Sequence, residues 1–353
     1  MSRFKNTNFP LISELTLLQL VSCFGPHHKA ITSLANDHEN KLTSIKFDEK
    51  DQLKWSEYQK TYPVEKLQEI LITKGIKFLS IYNPQYPDSL KKLFSPPAIL
   101  YYIGTFPKLD TALACIGTRQ ISNYGQFAVQ KLLSPFSKTG GLIVSGLAIG
   151  VDSSSHQVAV INKKPTVAVL GGSPESNCLY PRSNLRLSQE ILNNGGCLLS
   201  EYPPDTKPFK HHFIARNRII AGLSKAVLVI ECAKKSGALI TVNYALELNR
   251  DCLAVPGPIW SKTSEGTNQL IKEGAIPITD PEEILNYFQL SKDLTNVGDL
   301  NEQEKQIFQL ISDNPKSLEE LLFHKDAYNI ISSLELKGLI KNIGDQVYVK
   351  IVQ

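Results

Sequence analysis

The sequence predicts a doubly wound α/β domain, an open and mainly parallel sheet covered by helices on both faces, with a small helical region before it and a helix-plus-strand region after it. Two observations carry this expectation. From Thr111 onward, short apolar runs alternate with stretches long enough for a helix, the pattern of parallel strands joined by crossovers. Small residues then collect immediately after each run, where an open parallel sheet forms its binding crevice.

At 353 residues the chain is long enough for two or three domains. Its composition, 42% hydrophobic and 20% charged, is that of a soluble globular protein. The N-terminus lacks the apolar core of a signal peptide, and no stretch approaches 18 uninterrupted apolar residues, so the sequence reads as cytoplasmic with no membrane partner. Six cysteines are scattered without a C-x-x-C pair and read as buried thiols rather than metal ligands or disulfides. Net charge is only +4, but Lys163–Lys225 holds nine basic and four acidic residues, while Leu290 to the end holds seven and ten. The middle of the chain is therefore the part suited to a polyanion.

Taken in order, residues 1–80 are expected to form a helical domain. Leu11, Leu15, Leu18 and Val21, then Val64, Leu67, Ile70 and Leu71, recur at helical spacing, with a break at Cys23–His28. The proline- and tyrosine-rich stretch Ile81–Gly104 reads as a connector packed on its neighbour. Within 81–288, strands are expected at Ala112–Ile116, Leu142–Ser145, Thr166–Leu170, Cys197–Ser200, Ala226–Glu231 and Cys252–Pro256, which makes the domain Rossmann-like. Residues 298–353 offer three helical stretches and then two β-like segments around Asn342–Gln346, the order of a winged helix. Ile307, Leu310, Ile311, Leu318, Leu321, Leu322, Ile330, Ile331, Leu334 and Leu336 would supply its core.

The strand ends carry the chemistry. After the six strands come "GTRQISNYG", "GLAIGVDSSSH", "GGS", "EYPPDTKP", "CAKKSGALIT" and "GPIW". Glycines there admit a ligand to backbone N–H groups, and each following helix points its positive end at an anion, so a phosphate site is expected. Neither G-x-G-x-x-G nor G-x-x-x-x-G-K-[ST] is present, so no nucleotide cofactor is expected. Catalysis finds no support either. Asp152 and His156 read as a helix cap and a packing group, His211 and His212 precede Phe213 without a nucleophile, and the serines of "DSSSH" lack a G-x-S-x-G elbow.

Basic residues cluster at the same ends: Arg119, Arg182, and the run "KPFKHHFIARNR" with Lys207, Lys210, Arg216 and Arg218 around Phe213. Such side chains neutralise phosphates, and an exposed ring among them would stack a base. Arg216 and Arg218 stand two apart and diverge by about 200° on a helix, so one is expected to reach the crevice and the other to pair with a carboxylate such as Glu201 or Glu231.

The successive stretches "IGTRQISNYG", "SGLAIGVDSSSH", "YPRSN", "LLSEYPPDTKPFKHHFIARNRIIAGLS", "VLVIECAKKSGALITVNYALELNRDCLAVPG" and "EGTNQLIKEGA" resemble the signatures of the bacterial DNA-processing protein A family (DprA, also called Smf). The resemblance runs from about Tyr82 to Pro281 and implies a non-enzymatic, dimeric protein of natural transformation. Such a protein binds and shields single-stranded DNA and helps load the RecA recombinase. It also implies a sterile-alpha-motif-like helical domain in front and a winged-helix-like domain behind. Arg119 stands in the family's Gly-Ser-Arg position, Arg182 in a commonly basic place after Tyr-Pro, and Lys210 in the segment leading to Arg-Asn-Arg. With the strand-end residues, the candidate DNA contacts are Gly117, Arg119, Ser145, Gly146, Arg182, Lys210, Phe213, Arg216, Asn217, Arg218 and Gly237. The sequence departs from the family pattern at Thr118 (usually Ser), Asp205 (usually Gly), Ile214 (often Pro) and in "GGSPESNCLYP", which is longer and lacks an Asp.

Two alternatives stand beside this reading. One is a Rossmann-like nucleotide-directed hydrolase of the phosphoribohydrolase type, whose Pro-Gly-Gly-x-Gly-Thr-x-x-Glu signature "GPIW" and "EGTNQ" do not match. The other is a regulator that reads duplex DNA with its winged helix, against which the acidic tail weighs.

Overall fold

The structure, a computed structural model, describes residues 13–36, 47–290, 301–313, 316–321, 326–336, 339–342 and 347–350. Leu11, Leu322, Lys337, the 343–346 segment and the expected boundary at 298 lie outside the described residues. The chain divides into two compact units, 1–284 and 285–353.

The first unit begins with four helices, α1 (Glu14–Phe24), α2 (Lys29–Asn36), α3 (Glu49–Thr61) and α4 (Val64–Thr73). Ser13 caps α1 by accepting from the Thr16 N–H at 3.1 Å. There follow β1 (Lys77–Ser80), the single turn α5 (Asp88–Lys91) and β2 (Ile99–Gly104). The alternating part then runs β3 (Ala112–Ile116), α6 (Asn123–Lys138), β4 (Leu142–Ser145), α7 (Val151–Ile161), β5 (Thr166–Val169), α8 (Leu185–Asn193) and β6 (Cys197–Ser200). It continues with α9 (Lys210–Leu223), β7 (Ala226–Val229), α10 (Ala238–Glu247), β8 (Asp251–Ala254), α11 (Glu265–Lys272), β9 (Ile276–Pro277) and α12 (Pro281–Tyr287), which crosses the boundary between the units.

The nine strands form one sheet in the order β1-β2-β6-β5-β4-β3-β7-β8-β9. From β6 to β9 neighbouring strands are parallel, and β1 and β2 add an antiparallel edge beside β6. Every residue of β3 to β7 is buried, so this Rossmann-like sheet is covered on both faces. The chain leaves β3 toward β4, β5 and β6, then returns through α9 to place β7 on the other side of β3. That reversal makes a switch point, and the crevice lies there.

Two expectations are corrected at the sheet edge. Ile99–Gly104, read as connector, is strand β2, and Lys77–Ser80, assigned to the helical region, is β1. The prolines just ahead mask an apolar run whose Ile99, Leu100 and Tyr101 are all buried. Ile230 and Glu231 lie beyond the end of β7, because Glu231 turns its carboxylate to the neighbouring loops. The N-terminal helices share one core with the sheet, in which Leu17, Leu18, Leu20 and Val21 join Leu100, Val169 and Leu199. All six cysteines are buried free thiols.

The second unit holds α13 (Glu302–Asp313), β10 (Lys316–Ser317), α14 (Leu318–Leu321), α15 (Ala327–Leu336), β11 (Ile340–Asn342) and β12 (Val347–Lys350), with a three-stranded antiparallel sheet ordered β10-β12-β11. Its core gathers Ile307, Phe308, Ile311, Leu318, Leu321, Ile330, Ile331 and Leu334. Leu310, expected in that core, is exposed, because the buried stripe of α13 runs through Ile307, Phe308 and Ile311 on the other flank.

Because α1 and the sheet share a core, Leu20→Ala is expected to cost about 2–5 kcal/mol and to shift the unfolding of the whole first unit. Far-UV circular dichroism and tyrosine fluorescence should lose structure together in urea. A separate early transition confined to helix signal would contradict the shared core.

Candidate functional site

At the switch point, the carboxyl ends of β3 and β7 open into a hollow of about 460 Å³. Its walls are the loop after β3 (Gly117, Thr118, Arg119), the start of α7 (Ala148, Asp152), one side of α9 (Phe213, Arg216, Asn217) and the segment entering α10 (Lys235, Ser236, Gly237). A smaller adjoining hollow shares Arg119, Phe213 and Arg216 and adds Gly146, Tyr180 and Pro181. A larger hollow of about 850 Å³, lined by Glu175, Arg186 and Leu192, lies away from these strand ends.

Arg216 forms the floor. It is 4% exposed, and its Nη1 donates to the backbone carbonyls of Gly146, at 2.7 Å, and Val169. Its Nε donates to Asn217 Oδ1 at 3.0 Å, while its Nη2 has no hydrogen-bond partner among the described residues. Burial pushes the guanidinium down to about 10, Asp152 opposing and Arg119 adding to the shift, so it stays charged at neutral pH. Gly146 exists for this side chain: a Cβ there would run into the guanidinium.

Asp152 is the carboxylate of the crevice wall. Its Oδ2 accepts from the N–H groups of Gly146 (3.1 Å) and Ala148 (3.3 Å), bracing the turn before α7. Burial raises its pKa, and Arg216 and the two N–H groups oppose that. His156, one turn later, is buried with Nδ1 2.8 Å from Thr166 Oγ1. Since that hydroxyl donates to the Ile143 carbonyl, the ring carries its proton on Nδ1. Burial pushes it down to about 3, so it is a neutral packing group.

Arg119 occupies the rim. It is exposed, and no carboxylate lies within ion-pair distance of it among the described residues. The backbone of Thr118, just before it, is held from two sides. The Thr118 N–H donates to the Glu231 carbonyl at 2.7 Å, and the Val151 N–H donates to the Thr118 carbonyl at 3.1 Å. Gly150, at φ 86°, lets the loop before α7 pass over this peptide; a Cβ would lie 2.7 Å from the Arg119 carbonyl. The Glu231 carboxylate, 2% exposed, accepts from Ser122 N–H (2.9 Å), Ser122 Oγ (2.7 Å) and Thr263 Oγ1 (2.8 Å), tying the loops after β3, β7 and β8 together.

The structure thus brings Gly117, Arg119, Gly146, Phe213, Arg216, Asn217 and Gly237 to the crevice. Phe213 is half-buried, its ring 5.7 Å from that of Tyr180. At Gly237 an added Cβ would meet nothing, so packing does not demand glycine. Four candidates go elsewhere. Ser145 is buried and donates to the Cys115 carbonyl at 2.6 Å, because a residue still inside β4 points into the core. Arg182 is exposed, but its Nη1 donates to the Ser176 carbonyl at 2.7 Å, fastening its own loop. Lys210 is exposed on the first turn of α9 and lines neither hollow. Arg218, on the other side of α9, pairs with the fully buried Glu201 at 2.6 Å, the carboxylate pairing expected of one of the two arginines.

Sequence reasoning missed Lys235 in the crevice wall, though a lysine two residues before the glycine at a strand end was a usable signal. It also missed the bracing roles of Gly150, Asp152 and Glu231, which depend on contacts between loops far apart in the chain. Among the described residues no group of three or more His, Cys, Asp or Glu is placed to hold a metal, and no helix is long and apolar enough to cross a membrane. Chemically, the crevice offers a buried fixed cation, an exposed one and one aromatic face, a set suited to a phosphate and a base.

Comparison with known proteins places these features in context. The family model described as DNA recombination-mediator protein A matches residues 77–289. The chain is 39% identical over 234 residues to the DNA processing protein DprA of Bacillus subtilis, covering 65% of this chain and 77% of that one. The X-ray structure of DNA processing protein A from Streptococcus pneumoniae superposes with a TM-score of 0.65 at 30% identity, covering 78% of this chain and 98% of that one. A structure of DNA processing protein A from Helicobacter pylori, reported for its single-stranded DNA binding mode, gives a TM-score of 0.55 at 31% identity, over 61% of this chain and 95% of that one.

Gly146→Ala is expected to cost about 1–3 kcal/mol of overpacking, read from urea unfolding. In an Arg216→Ala background the same substitution should cost much less, since the guanidinium is what the new methyl meets. Equal costs in the two backgrounds would show that Gly146 and Arg216 are energetically independent.

Proposed function

The chain belongs to the DNA recombination-mediator protein A family, and from that premise we propose that it is a single-stranded DNA-binding protein of natural transformation. It holds the DNA backbone in the crevice at the β3 and β7 ends, shields incoming DNA, and helps load the RecA recombinase. One observation carries the reading: Arg119 and Arg216 face one hollow beside the half-buried Phe213 ring, and neither guanidinium is ion-paired among the described residues. Arg216 is a preorganised anion partner, because the protein satisfies part of its fork with carbonyls and leaves its charge uncompensated by a contacting carboxylate. Asn217 positions it, and Lys235 adds charge at the wall. Asp152 and His156, the pair with which a hydrolase would begin, are both engaged in structure, which favours binding over the hydrolase alternative.

The test is a titration of the full chain against single- and double-stranded oligonucleotides over a range of salt. Single strands should be preferred, with affinity falling steeply as salt rises. Arg119→Ala should weaken binding and lower the salt slope by about one. Arg119→Lys should recover only part, since a point charge cannot replace the bidentate fork. Normal binding by Arg119→Ala with a lower melting temperature would make the residue a structural brace and remove the DNA from this crevice. Nucleotide turnover by the wild-type chain would favour the hydrolase.

Self-association belongs to the same reading. Leu270 and Ile278 are buried within the first unit, but β9 is an edge strand and Ile276 on it is 42% exposed. Light scattering at micromolar concentration should report a dimer, with or without DNA. A monomer under both conditions would refute it.

A further inference from the structure

Outside the crevice, the start of α9 exposes two rings, Phe209 just before the helix and His211 in its first turn. Phe209, 57% exposed, lies nearly parallel to the exposed His211 ring, with centroids 6.0 Å apart and planes at 15°. Its other ring contact is with His212, at 5.2 Å and nearly perpendicular at 82°. His212 is buried and stacked on Tyr202 at 3.9 Å, so Phe209 packs against a fixed ring and still leaves more than half of its surface to solvent. One helical turn further on stands Phe213, in contact with the 55% exposed Tyr180 at the crevice rim. The flanking Lys207 and Lys210 are exposed, and neither has an ion-pair partner among the described residues.

We propose that Phe209 and His211 form a second base-stacking platform, which receives a nucleotide of single-stranded DNA adjacent to the one at Phe213, with Lys207 and Lys210 on the intervening phosphates. Aromatic faces interleaved with unpaired cations are the chemistry of sequence-tolerant single-strand binding. A protein partner would need carboxylates of its own opposite both lysines, whereas a nucleic acid backbone carries its charge at every residue. Phe209 and Phe213, four residues apart, are separated by about 6 Å along the helix. The proposal rests on the crevice being the DNA site.

The experiment measures binding of a fluorescently labelled oligothymidylate by the full chain and by Phe209→Ala, Phe209→Leu, Phe209→Trp and Phe94→Ala. Phe94 is 94% exposed on the α5–β2 turn and lines neither hollow of the site. Phe209→Ala and Phe209→Leu should weaken binding at least about fivefold, with melting temperature and salt slope unchanged because no phosphate contact is lost. Phe209→Trp should restore wild-type affinity, and Phe94→Ala should leave it unaltered. If Phe209→Ala binds like the wild type while Arg119→Ala is impaired, the platform is wrong and the crevice stands. If Phe209→Leu binds normally, the ring only fills space, and the platform is again wrong. Absence of salt-dependent binding by the wild-type chain overturns the crevice reading and this proposal together.

Discussion

The Arg216 guanidinium lies beneath the strand ends with its Nη1 given to two backbone carbonyls rather than to a carboxylate. A buried charge left this way is costly, and the surrounding structure is arranged to bear it. Gly146 omits the side chain that would collide with it, Asn217 holds Nε, and Asp152 stands near enough to matter electrostatically while spending its own oxygen on the loop. The result is a fixed positive floor that needs no rearrangement to meet an anion. Preorganisation of this kind keeps the cost of ordering the site in the fold rather than in the binding step.

The same helix settles the second arginine. Arg218, turned away from the crevice, pairs with Glu201, and Glu201 in turn lies 3.6 Å from His27, whose Nε2 is 3.0 Å from the Tyr202 hydroxyl. Thus one face of α9 builds the anion site while another ties the sheet to the turn between α1 and α2. Loops at the strand ends are similarly joined by Glu231, which accepts from hydroxyls on two loops and so fixes the turn that presents Arg119.

Three of the departures from the family pattern have local explanations. Asp205 adopts φ 64°, a conformation for which glycine is the default, and its carboxylate meets Lys74 at 2.6 Å while its N–H donates to Glu175 at 2.7 Å. Lys74 also pairs with Glu175 at 2.7 Å, so an ion-paired cluster anchored on α4 holds the strained residue in place. Thr118 keeps the hydroxyl of the usual serine and accepts from the Gln120 N–H at 3.1 Å. Ile214, 47% exposed at the crevice, needs no proline to begin a helix already under way.

What the sequence by itself determined is local: the six parallel strands, the glycine-rich turns after them, the cation cluster before β7 and the family. Apolar runs and turn residues act over a few positions, and a short window of sequence contains them. Their alternation even requires a crevice at the strand ends. The divergence of Arg216 and Arg218 was legible from helix geometry, and so was Glu201 as a candidate partner. What only the tertiary structure decided is which side chains share a space. Ser145 and Arg182 carry plausible chemistry in the right stretches, yet one points into the core of β4 and the other fastens its own loop. The antiparallel edge of β1 and β2 was hidden because strand pairing depends on a partner, β6, about a hundred residues downstream. Gly146 and Arg216 lie far apart in the chain, and no local pattern announces that one must be small so that the other can be charged and buried.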